Sequence, residues 1–273
     1  MAVDFCPGYG REPFATLVRE YPDSEVYPSN AFRAEWGPLF HRGRLDGTAR
    51  FLLIGQDPAA HENIARRILV GVAGKRAQGF MAKLGFERSY VIINTFLYSV
   101  LSQSGGAAHV GDPALVAYRN RWIASILETS RIEAVVAMGA LADKAWKAWC
   151  ATPAGAASKA LPYRPVPHPT SPDSAAAGNP DVLAKKTKAM LQAYNRALQA
   201  LHPAVENPDV QRPLVLYGEA FTAAELPDIP AADLPGGLPA WMRGSAPWAA
   251  RSGADAKTKR RTITVTVPPG VIA

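Results

Sequence analysis

The chain has 273 residues, 48% of them hydrophobic, and a formal net charge of +7. That is enough apolar material for a full core in one or two domains, and the basic balance fits a polyanionic partner. No run approaches eighteen uninterrupted apolar residues, so no membrane-spanning helix is expected. The two cysteines, Cys6 and Cys150, cannot supply an iron–sulfur cluster and lack the spacing of a zinc site. They read as reduced thiols; no secretory signal is visible at the N-terminus, and a cytoplasmic location is expected.

Residues 1 to about 49 mix aromatic residues with polar ones and predict helices and loops packed on a sheet. Phe51 to Ile54 is an apolar run of strand length. A helix is expected from about Lys75 to Leu84, stopped by Gly85. Tyr90 to Thr95 is β-branched and reads as a buried strand. Pro113 opens a helix that runs to about Thr129. Ile132 to Met138 is the next strand, and Ala140 to about Trp149 the next helix. Arg164 to Val166 is a short last strand. Asn179-Pro180 has the form of an N-cap and first turn for a long helix ending near Leu201. Strands alternating with helices predict an α/β fold: three αβα layers around a mostly parallel, four-stranded sheet. The folded domain is expected over 1–202. Residues 203–273 are rich in Pro and Gly and read as an extension, wrapped on the domain or partly disordered. Within it, Leu214–Tyr217 and Ile263–Val267 have strand-like composition.

Three polar groups fall at strand ends. Gln56-Asp57-Pro58 follow the first strand, Asn94 closes the second, and His168 follows the last. In a parallel α/β sheet such loops gather on one edge and build a single crevice. An Asp, an Asn and a His converging there would suit the binding and cleavage of a flat polar base.

Gly55-Gln56-Asp57-Pro58 paired with His168-Pro169-Thr170-Ser171-Pro172 resembles the uracil-DNA glycosylase superfamily. Gly71-Val72-Ala73-Gly74, after Arg67-Ile68-Leu69-Val70, resembles a motif of its iron–sulfur branch, without the cysteines. Val135 to Ala140 resembles the strand-to-helix segment that precedes the His motif. The resemblance runs from about Arg50 to Leu201 and implies a divergent class of that superfamily. It also implies the roles. Asp57 orients a water and stabilises positive charge on the sugar. His168 and the backbone N–H of Gln56 donate to the developing uracil oxyanion. Asn94 reads the uracil edge, since its amide offers a donor and an acceptor together. Leu69 stands where the cluster-bearing branch stacks a Phe on the base, and Ala59 where the best-known branch uses a Tyr against thymine. Ser171, with Pro172, pinches phosphate. Asp173 replaces the Leu wedge, so Lys75, Arg76 or the loop from Ser102 to Gly111 becomes a candidate wedge.

Other residues rest on position alone. His61 and Glu62 line the pocket or face solvent. Arg67, Lys75 and Arg76 form a basic cluster near the first motifs and are expected to meet DNA. Phe80 reads as core, and His109 as a surface-loop histidine. The predicted activity is monofunctional release of uracil from DNA in base-excision repair. No metal or cofactor is implied, uracil-containing and abasic DNA are the expected partners, and the protein is expected to act as a monomer. A binding module with poor turnover and an α/β hydrolase acting on free nucleosides are the alternatives. The tail beyond about Arg251 is expected to be dispensable for the chemical step.

Overall fold

A computed structural model describes residues 8–244 and 247–271. The elements are α1 (Phe14–Arg19), β1 (Arg42–Gly43), β2 (Phe51–Gly55), α2 (Ala60–Ala65), α3 (Val72–Lys83), β3 (Tyr90–Asn94), α4 (Gln103–Ala108) and α5 (Pro113–Thr129). They continue as β4 (Ala134–Met138), α6 (Ala140–Cys150), β5 (Tyr163–Val166), α7 (Ser171–Ala176), α8 (Pro180–Leu201), β6 (Ala249–Arg251), α9 (Ala256–Arg261) and β7 (Ile263–Val265). The main sheet has the order β1-β3-β2-β4-β5. Its four longer strands are parallel, as expected; two-residue β1 adds an antiparallel fifth.

Alternation along each strand explains the three layers. Leu52 and Ile54, Val91 and Ile93, and Val135 and Ala137 enter one core with Trp122, Ile126 and Trp146. Phe51 and Leu53, Tyr90 and Ile92, and Val136 and Met138 enter the other with Phe80, Leu191 and Leu198. A strand buried on both faces reads as a continuous apolar run, because successive side chains point to opposite layers. The long helix α8 starts as its sequence predicts, with Asn179 Oδ1 accepting from the N–H groups of Asp181 and Val182 at 3.0 and 3.1 Å.

Register fixes where the functional loops emerge. Gly55 pairs with Asn94, and Met138 with Val166, so the C-terminal ends of all four parallel strands lie level. The chain leaves β2 toward β3 on one side and reaches β4 on the other. The loops after β2 and β4 therefore diverge and open a crevice between them.

Part of the C-terminal segment enters the core. Arg42 and Asp233 form an ion pair at 2.9 Å with both side chains fully buried. Ile229, Leu234 and Trp248 pack with Ala60, Ala65 and Val70 around α2. The strand expected at Leu214–Tyr217 is absent. Its backbone bonds to side chains instead: Tyr217 exchanges two hydrogen bonds with the Asn195 amide, and Val215 O accepts from Lys83 Nζ. The strand expected at Ile263–Val267 forms over Ile263–Val265 and pairs with β6. Among the described residues, no helix is long and apolar enough to cross a membrane. Cys150 is buried, with its thiol pushed up by desolvation; Cys6 lies outside the described residues.

Candidate active site

A cleft of about 630 Å³ opens at this sheet edge. Gln56 and Asp57 line it from the end of β2, and His168, Thr170 and Ser171 from the loop after β5. The carboxylate and the imidazole predicted to meet there do so. The volume lies within the range of small-molecule sites.

Asp57 is held by donors. Its Oδ1 accepts from Gln103 Nε2 at 3.3 Å, and its Oδ2 from the Val100 N–H at 3.4 Å. Burial pushes its carboxyl up to about 6, while the Gln103 and Val100 donors and the charges of Arg251 and Arg33 pull the other way. Desolvation disfavours the charged form, so the carboxylate is poised close to neutral pH.

His168 is tuned in the opposite sense. Burial, with the nearby Arg76 charge, pushes its imidazole down to about 4. The ring is therefore neutral at pH 7. Its Nδ1 accepts from the Thr170 N–H at 3.3 Å and lies 3.1 Å from Thr170 Oγ1. An accepting Nδ1 leaves the proton on Nε2, which makes that nitrogen the donor. Thr170 thus sets the tautomer.

Gln56 ties the end of β2 to α6 and α4. Its Oε1 accepts from the Leu141 N–H at the start of α6 at 3.2 Å, and its Nε2 donates to Gln103 Oε1 at 3.4 Å. Gln103 sits at the first position of α4, where Ser102 caps the helix by accepting from the Gly105 N–H. In the sequence this loop offers a candidate wedge and His109, but no signal for Gln103. Nothing local marks Gln103, because its partners lie 46 and 47 positions away. Arg33 and Trp36 also line the cleft, with the guanidinium 5.0 Å from the indole centroid. They come from the N-terminal region, outside every recognised motif.

Asn94 does not line this cleft. It is buried one strand over, beside Gly55, and its Oδ1 has no hydrogen-bond partner. A Cβ at Gly55 would lie 2.3 Å from that oxygen, so only glycine leaves the amide its place.

The remaining sequence candidates fall elsewhere. Leu69 is in the core behind α3, 5% exposed, with φ +52°. Its carbonyl oxygen comes 1.7 Å from where a Cβ at Gly74 would sit. The glycine of the VGxAG segment thus admits a backbone, and Leu69 is turned away from the cleft. Ala59 is exposed on the rim, and its N–H donates to Glu62 Oε2 at 3.0 Å. Glu62 therefore neither lines the pocket nor faces solvent; it folds back, buried, over the start of α2. His61 also turns from the cleft. Its Nε2 accepts from the N–H groups of Trp248 and Ala249. Phe80 is core, edge-on to Tyr194. His109 pairs with Asp112 at 2.6 Å and is not in the cleft.

The basic cluster expected to meet DNA is engaged inside the protein. Lys75 is buried against Asp228 at 2.8 Å. Arg67 is buried, donates to Arg66 O at 2.7 Å and lies over the Tyr9 ring. Arg76 is mostly buried and donates to Pro169 O at 2.6 Å and to the Asp173 carboxylate. The position aligned with a wedge is thus an ion-pair partner. Pro172 is buried, whereas Ser171 stays on the cleft wall.

Residues 42–199, more than half of the chain, match the model of the Uracil DNA glycosylase superfamily, and the chain belongs to that superfamily. No curated protein was found to match it.

Proposed function

We propose that the protein is a monofunctional uracil-DNA glycosylase of base-excision repair, working as a cytoplasmic monomer without a cofactor. The observation that carries this reading is the pairing of Asp57 with a neutral His168 in one cleft. Cleavage of an N-glycosidic bond leaves positive charge on the sugar and negative charge on the departing base. A fixed carboxylate and a fixed N–H donor answer those two charges, and both act more strongly on the transition state than on the ground state. A neutral imidazole donates from Nε2 to the uracil oxyanion without having to protonate the base. Asp57 orients the attacking water and faces the sugar.

Asn94 lies outside this cleft, so recognition of the uracil edge falls to groups that line it. Ser171 at the rim is placed for phosphate. The products are free uracil and abasic DNA.

The test is incubation of end-labelled uracil-containing duplex with excess protein, alkali treatment and gel separation. The reading predicts a single alkali-labile break at the uracil. An intact strand after prolonged incubation would overturn it.

A further inference from the structure

Arg251 is the last residue of β6 and lines the same cleft as Asp57 and His168. It lies beyond the region that matches the superfamily. Its place is set by a chain of contacts rather than by chance exposure. His61 Nε2 accepts from the Trp248 and Ala249 N–H groups at 3.2 and 3.3 Å, which fixes the start of β6 to α2. The Trp248 indole is 3% exposed, stands edge-on to the His61 ring and donates to Met242 O at 2.9 Å. On the other side β7 pairs with β6 in register, Arg251 opposite Ile263. A buried anchor at one end of a three-residue strand thus delivers the residue at its other end to the cleft.

The Arg251 side chain is exposed and makes no hydrogen bond or ion pair among the described residues. Three basic residues of α3 differ. Lys75, Arg76 and Lys83 are each matched by an acid, Asp228, Asp173 and Glu225. The oxygens of Asp57 accept from Gln103 and Val100, not from Arg251. The guanidinium is therefore free to engage a ligand at the cleft mouth. Its planar fork of donors matches a phosphate better than a point charge does.

We propose that Arg251 is a DNA-binding residue that takes a backbone phosphate beside the nucleotide in the cleft, which makes the C-terminal hairpin part of the working site. This rests on the DNA reading given above. It leaves untouched the expectation that the tail beyond about Arg251 is dispensable for the chemical step and adds a role in binding, because β6 and β7 hold the arginine together. His61 is a positioning residue in this scheme and acts through the hairpin.

The test is fluorescence anisotropy of the full chain on a duplex carrying a tetrahydrofuran abasic analogue, and on an undamaged duplex, across a range of NaCl. R251Q is expected to weaken binding to both about tenfold and to lower the slope of log affinity against log salt by about 1. R251K is expected to recover the slope, since the charge returns. H61A should weaken binding in the same sense, and R251Q added to H61A should cost little more. An R251Q variant with wild-type affinity and slope would overturn the proposal, as would full additivity of the two substitutions. The two readings separate cleanly. Loss of affinity in R251Q with no uracil release by the wild type would uphold Arg251 and refute the glycosylase. Uracil release by the wild type with unchanged binding in R251Q would do the reverse.

Discussion

Arg76 of α3 grips both the Pro169 carbonyl oxygen and the Asp173 carboxylate, 97 positions away from the latter, so the helix holds the loop that carries His168. The same guanidinium helps to keep His168 neutral. Arg76 is therefore placed to position the loop that carries His168.

Arg76→Ala should lower the single-turnover rate by roughly 10- to 100-fold, because small misplacements of a reacting group are costly. The His168 imidazole should titrate at a higher pH, which NMR of the ring protons would read. Asp173→Asn keeps the bond to Pro169 and should cost less. A wild-type rate and titration in Arg76→Ala would show that the loop holds itself.

The pH dependence follows from Asp57. In the proposed mechanism its ionised form is the active one, and its carboxyl is pushed up to about 6. The chemical step should rise about tenfold per pH unit below that value and level off above it. His168 stays neutral down to about 4 and should add no limb between pH 5 and 8. A rate that is flat from pH 5 to 8 would contradict the assignment of Asp57.

The same shift has a stability consequence of opposite sign. Folding raises the Asp57 pKa from 3.8 to about 6, so the folded state favours the neutral acid. The penalty for ionisation is absent below the unfolded value and complete above about 6. Two pH units correspond to at most about 3 kcal/mol, and to about 1–2 kcal/mol after allowance for partial exposure. Asp57→Asn should therefore melt a few degrees above the wild type at pH 8, with the gap closing as pH falls toward 4. Equal melting temperatures at pH 8 would contradict the desolvation of this carboxyl.

Arg42 and Asp233 make the C-terminal segment a matter of stability as well. Arg42 also donates to Ile68 O and Gln78 Oε1 at 2.9 Å. Asp233→Ala would leave that guanidinium buried without its counter-charge and should cost about 3–5 kcal/mol by denaturant unfolding. Replacing both partners by apolar residues of similar size should cost much less. Truncation after residue 202 should likewise give an unstable product. A stable, active 1–202 fragment would show that the extension is accessory.

The layers, the parallel sheet and the Asp57–His168 meeting were legible in the sequence, because each rests on a local pattern. Leu52 and Leu53 alternate between cores, Pro113 and Asn179-Pro180 start helices, and strand-end loops of a parallel sheet share an edge. What was not legible depends on contacts between distant segments. Gln103 reaches Asp57 from a loop without a motif, Asp228 and Asp173 neutralise cations that look free in sequence, and His61 anchors a hairpin instead of a base. Leu214–Tyr217 has strand composition, yet the Asn195 amide satisfies its backbone and no ladder forms. Two-residue β1 is too short to leave any periodic signal.

In the proposed mechanism Asp57 and His168 cleave the glycosidic bond together in one cleft. The direct measurement is single-turnover release of free uracil from a uracil-containing duplex, by wild type, Asp57→Asn, His168→Ala and the double variant, each with saturating binding verified. The account predicts that each single change lowers the rate by at least about a hundredfold with DNA binding retained, and that the double variant is slower than either. A wild-type rate in Asp57→Asn or in His168→Ala would contradict it.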